Sequence, residues 1–143
     1  MNLQECFLKL AQSEENGADL YKKFSVVCSV KLKNIVISFS EEEEKHKKIM
    51  LELSKKEKLK DKQLNIDVEE VFQKQVEYLY NNGKELNLTS EKEFFVFALQ
   101  LEKNSVEIYT KLSDSYGYKR FEDLIKEERK HMIYILNQLY ELK

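Results

Sequence analysis

Four stretches of the chain carry apolar residues at steps of three and four, and each run is broken near its middle by a glutamate. The first runs Leu3, Phe7, Leu10, then Tyr21, Phe24 and Cys28, with Glu14 and Gly17 in the gap. The second has Leu32, Ile35 and Phe39, then Glu43 and His46, then Met50 and Leu53. The third has Phe95 and Ala98, then Glu102 and Ser105, then Tyr109 and Leu112. The fourth has Phe121 and Leu124, then Glu128 and His131, then Ile135, Leu139 and Leu142. This spacing predicts four amphipathic helices, each burying one seam. Each seam must also take a polar break into the interior.

Nothing in the composition competes with helix. There is no proline, there are three glycines, and 35% of the residues are charged. Asn2 with Glu5, and Ser90 with Glu93, have the spacing of capping boxes. A length of 143 residues suits one domain, 1–143, with a real core.

The polar breaks also set the turns. Glu14 and the Glu43/His46 pair are centred near Ser29; Glu102 and the Glu128/His131 pair are centred near Tyr116 and Gly117. Turns at those centres bring each single glutamate beside a Glu-x-x-His pair. An internal repeat agrees. A shift of 88 residues lays "EENGADLY" (Glu14 to Tyr21) on "EKNSVEIY" (Glu102 to Tyr109). A shift of 85 lays Phe39, Glu43, His46 and Met50 on Leu124, Glu128, His131 and Ile135. The expected architecture is all-α: hairpin 1 at about 2–56, a crossover at about 57–89, and hairpin 2 at about 90–142. In the crossover, "SKKEKLKDKQ" reads as solvated. Asp67 and Glu70 then open a short helix with Val68, Val71, Phe72, Val76 and Leu79 on one face. A connection this long lets the second and third long helices run parallel in a four-helix bundle.

Several function classes drop out. The net charge of −2 gives no basic footprint for nucleic acid. No apolar run approaches the roughly 20 residues of a membrane span, and "MNLQECFLKL" is no signal peptide. Cys6 and Cys28 form no CxxC pair, so they read as reduced thiols of a cytoplasmic protein with packing roles.

The two histidines, His46 and His131, each follow a glutamate by three positions. Residues three apart on a helix point to one side. One such pair means little in a chain rich in Glu and Lys. Two pairs inside apolar seams, with single glutamates in the other two seams, offer four carboxylates and two imidazoles at one level. That is the ligand set of a carboxylate-bridged dinuclear metal site in a bundle core. Oxygen and nitrogen donors without thiolate suit iron or manganese better than structural zinc.

Through "SEENGADLY", "EEKH", "LEKNSVEIY" and "EERKH" the chain resembles the rubrerythrin-like branch of the ferritin-like superfamily over essentially its whole length. The resemblance implies a ferritin-like bundle and two iron ions, with manganese or zinc as substitutes. The ligands would be Glu14, Glu43, His46, Glu102, Glu128 and His131. Glu43 and Glu128 would bridge the metals, and Glu14 and Glu102 would be terminal. Tyr21 and Tyr109 match the family's tyrosines two turns past the single glutamates; each either hydrogen-bonds toward the ligands or packs in the core. Implied with the fold are an oxidoreductase that reduces peroxide or oxidises ferrous iron, a link to oxidative stress, and a homodimer. The alternative is a non-catalytic iron-handling protein. The chain departs from the family twice. The rubredoxin-type CxxC pairs are missing, so electrons would come from an external rubredoxin-like donor. Peroxidase-type members carry an extra carboxylate one turn past the third-helix glutamate; here that residue is Ser105, and Gly17 stands at the matching place in the first helix.

Overall fold

Asn2 sits on extended backbone, and its side-chain Oδ1 accepts the Glu5 N–H at 2.8 Å. This satisfies one of the orphan donors of a helix start and opens α1, Leu3–Val27. In the computed structural model of the chain, which describes residues 1–83 and 86–142, four further α-helices follow. They are α2 (Val30–Ser54), α3 (Ile66–Asn82), α4 (Glu91–Tyr116) and α5 (Arg120–Glu141). Among the described residues there is no strand beyond an isolated antiparallel bridge between Asn2 and Gln63. The protein is therefore all-α. No helix among the described residues is long and apolar enough to cross a membrane. The helices fall into two compact units, Met1–Leu64 and Asn65–Lys143.

In the first unit, α1 and α2 form an antiparallel hairpin. The chain reverses through Cys28 and Ser29, both on extended backbone. No positive φ is needed, so the turn contains no glycine. Ser40 Oγ donates to the Ala18 carbonyl at 2.8 Å, and Gln4 Nε2 donates to the Ser54 carbonyl at 2.9 Å. Both pairs are centred on residue 29, the turn expected from the sequence. That register sets Glu14 against the turn of α2 that carries Glu43 and His46. Phe7, Leu10, Ala18 and Phe24 bury the facing side of α1; Leu32, Val36, Met50 and Leu53 bury that of α2.

The stretch after α2 is not simply a solvated linker. A 3-10 turn spans Glu57–Leu59, and Leu59 and Leu64 are buried. Leu3 N–H donates to the Lys62 carbonyl at 2.8 Å, and Leu64 N–H donates to the Met1 carbonyl at 3.0 Å. The lysines face water while two leucines anchor the segment against the start of α1. Periodicity does not reveal anchors set singly in a charged run.

In the second unit, Asn65 Oδ1 caps α3 by accepting the Asp67 N–H at 2.9 Å. The same residue's N–H donates to Tyr116 Oη at 2.8 Å, fixing the start of α3 to the end of α4. Tyr78 stacks on Phe97 with ring centroids 5.5 Å apart, so α3 runs antiparallel to α4. The buried face of α3 is Val68, Val71, Phe72 and Gln75. Val76, expected on that face, is exposed, and Leu79 is half-buried. Ser90 Oγ caps α4 by accepting the Glu93 N–H at 3.2 Å. Gly117 ends α4 in the left-handed region at φ 67°, which costs glycine nothing and an L side chain about 1–2 kcal/mol. The turn carries the chain into α5. Phe121 then stacks on Tyr109 at 5.6 Å, with the ring planes 17° apart. Ile135 is the last fully buried residue of that seam; Leu139 is half-buried and Leu142 exposed. Residues 84 and 85 of the predicted crossover lie outside the described residues.

Candidate metal centre

The α1–α2 hairpin brings Glu14, Glu43 and His46 together, and the α4–α5 hairpin brings Glu102, Glu128 and His131 together. All six are buried. His46 Nδ1 lies 3.6 Å from Glu14 Oε2 and 3.9 Å from Glu43 Oε2. His131 Nδ1 lies 3.3 Å from Glu102 Oε1 and 4.0 Å from Glu128 Oε2. The two triads are built alike, as the repeat requires. In each, one ligand atom per residue falls within 4.8 Å of the others. Donors bound to one ion at about 2.0–2.2 Å stand roughly 3–4 Å apart. These side chains are therefore placed to close on a metal.

The donor chemistry fits the same way. Each triad sets two carboxylates against one imidazole, so it stays net negative even with the ring protonated. A buried carboxylate without compensating charge costs several kcal/mol; a divalent cation supplies that charge. In both triads Nδ1 is the ring nitrogen facing the carboxylates. Nδ1 would bind the metal, leaving the ring proton on Nε2. The oxygen and nitrogen donors suit iron or manganese.

Tyr21 and Tyr109 are both buried. Tyr21 meets Phe39 edge-on at 5.6 Å, and Tyr109 stacks on Phe121. Aromatic packing is thus seen for both. Outside the first triad, Lys47 Nζ donates to Glu15 Oε1 at 3.0 Å across α1 and α2. That hydrogen bond raises the ammonium's pKa above its ordinary value. Ser40 was not singled out by its spacing. Its hydrogen bond to Ala18 ties the helices together one turn before Glu43; a serine within the seam, three residues from a ligand, is the available signal.

The cysteines exchange the places their spacing suggested. Cys6, expected outside the stripe, is fully buried, and Cys28, expected on it, is half-buried at the turn. The buried face of α1 near its start is wide, taking in Leu3, Cys6, Phe7 and Leu10. Neither thiol belongs to the metal-competent groups found among the described residues. Changing both cysteines to alanine is expected to leave metal stoichiometry unchanged while costing about 1 kcal/mol of stability at the buried site. Metal analysis and urea unfolding of the double variant check this. Loss of bound metal would make a thiol part of the site.

Two hairpins, each closing a buried Glu/Glu/His triad, define an all-helical carboxylate–histidine protein able to hold metal. The chain matches the rubrerythrin family over residues 5–140 and belongs to that family. No curated protein and no solved structure gives a match.

Proposed function

We infer that this is a non-haem di-iron protein of rubrerythrin type, an oxidoreductase that reduces peroxide or oxidises ferrous iron with electrons from an external donor. The observation that carries the reading is the paired set of buried triads. Glu14, Glu43, His46, Glu102, Glu128 and His131 would hold two ions in a ferritin-like bundle, with Glu43 and Glu128 bridging them. Two irons held there would supply a pair of electrons together, as reduction of peroxide demands.

The chain's own groups do the rest. Burial of the carboxylates excludes bulk water and strengthens their hold on cations. Their two oxygens allow a ligand to chelate or to bridge as the charge at the site changes. With Nδ1 on the metal, the ring Nε2 of each histidine would keep its proton and act as a hydrogen-bond donor. A rubredoxin-like protein would be the donor, and the working unit would be a homodimer. Ile133, Leu136 and Tyr140 share one exposed face of α5 and offer a surface for a second copy.

Ser105 and Gly17, standing where peroxidase-type relatives or their repeat would place a further carboxylate, favour a second reading as an iron-handling protein without turnover. Steady-state peroxide consumption with supplied reduced rubredoxin decides between them. The enzyme reading expects consumption that Glu128→Ala abolishes. Full iron occupancy without consumption above the Glu128→Ala background would leave the iron-handling reading.

A further inference from the structure

Gly17 lies mid-helix in α1, where glycine lowers helix stability relative to alanine. The chain has three glycines; Gly83 and Gly117 sit at the C-caps of α3 and α4. Among the described residues positive φ is confined to Gly117, so backbone conformation does not call for glycine at position 17. A Cβ built there would meet Glu43 Oε2 at 3.8 Å and Glu43 Cγ at 4.0 Å. These are ordinary contact distances, so alanine would fit. What the missing side chain leaves is space beside the Glu43 carboxylate.

Although the built Cβ faces Glu43, Gly17 itself is only partly covered, so this point of the seam is in reach of solvent. Gly17 is half-buried, between exposed Asn16 and buried Ala18. The Glu43 side chain is 7% exposed, against 4% for Glu14 and Glu102 and 1% for Glu128. Glu43 is thus the most accessible of the four carboxylates. At the matching position of the repeat the chain carries Ser105, whose side chain adds atoms where Gly17 has none. The two triads are alike in their ligands and unlike in their access.

We propose that Gly17 keeps open the path by which a small uncharged oxygen species, dioxygen or hydrogen peroxide, reaches the metal site at Glu43. This rests on the di-iron reading above. The charge around the opening favours a neutral molecule. The space beside Gly17 ends on the Glu43 carboxylate, and Glu14 lies three residues earlier on the same face of α1, so an anion meets like charge. The room beside Glu43 is that of one methyl group in ordinary contact with the carboxylate, which suits only the smallest molecules.

Nitric oxide serves as the probe, being uncharged and diatomic. Iron content and the rate of nitric oxide binding are measured on ferrous-loaded wild-type protein and on Gly17→Ala, Gly17→Val and Gly17→Leu, with Ser105→Leu as the control. Iron per chain is expected to stay constant while association slows in the order Ala, Val, Leu. The Leu variant should bind about tenfold more slowly, the effect of roughly 1.4 kcal/mol on the barrier. Dissociation should slow with it, because a narrowed path hinders both directions, and Ser105→Leu should change little. Equal association rates in a fully loaded Gly17→Leu protein would overturn the proposal and leave the metal site standing. If leucine empties the site, the Ala and Val variants decide by the same rule. A wild-type protein that takes up no iron overturns the metal reading and this path with it.

Discussion

Loading with ferrous iron under anaerobic conditions is expected to raise the melting temperature on the order of 10 °C or more. Without metal, each hairpin closes two carboxylates on one imidazole inside the protein. The like charges repel, and little water reaches them to soften the repulsion. A cation bound by the folded state alone stabilises it by mass action. Free metal at a thousand times its dissociation constant adds roughly 4 kcal/mol per site. For a chain of this size each kcal/mol moves the midpoint by about 3–5 °C. Glu43→Ala and Glu128→Ala should each remove most of the gain, because in the proposed di-iron arrangement each would serve both ions. Glu41→Ala should remove none, since Glu41 is exposed on the outer side of α2. The metal-free protein should still be folded, held by the apolar seams. Scanning calorimetry of stripped and reloaded protein checks the set. Equal midpoints with and without iron would mean that the triads bind nothing that matters to stability.

Phe121→Ala is expected to cost roughly 3–5 kcal/mol, the range for deleting a buried aromatic ring. Phe121 is fully buried at the start of α5. Its ring stacks on Tyr109 and meets Tyr118 edge-on at 5.7 Å. Removing it would leave a void below Tyr109, two turns from Glu102. Tyr140→Ala, on the exposed face near the end of the same helix, should change stability by less than about 0.5 kcal/mol. Urea unfolding of the two variants gives the comparison. A loss below about 1 kcal/mol for Phe121→Ala would show that the α4–α5 end is loosely packed.

The parts of the fold that could be read from sequence are those in which one period governs many residues. The seams of α1, α2, α4 and α5 repeat at three and four, so one face is named by six to eight residues together. The hairpin turns were legible because Glu14 and Glu102 had to meet their Glu-x-x-His partners, which places each turn at the midpoint. The caps Asn2 and Ser90 were legible because a cap is a local contact over three residues.

The readings that failed depend on single residues. Cys6 is buried because α1 presents a wide face near its start, and one helical period does not state how wide a face is. Gln75 is buried and Val76 exposed on α3, because one step around a helix turns the side chain by about 100°. Amide against apolar side chain does not decide which of two neighbours faces the core. Leu59 and Leu64 are anchors in a charged run and have no period. At the candidate site the six residues were legible as a pattern, and so was the likeness of the two halves. Their unlike access was not, since the exposure of Glu43 beside Gly17 is a property of packed atoms.

Iron content per chain, measured after anaerobic loading and gel filtration, with anomalous scattering to locate the ions, decides whether these six residues hold a dinuclear centre. Two ions per chain are expected, bound to Glu14, Glu43, His46, Glu102, Glu128 and His131. Saturation near one ion per chain, or metal bound away from these residues, would contradict it.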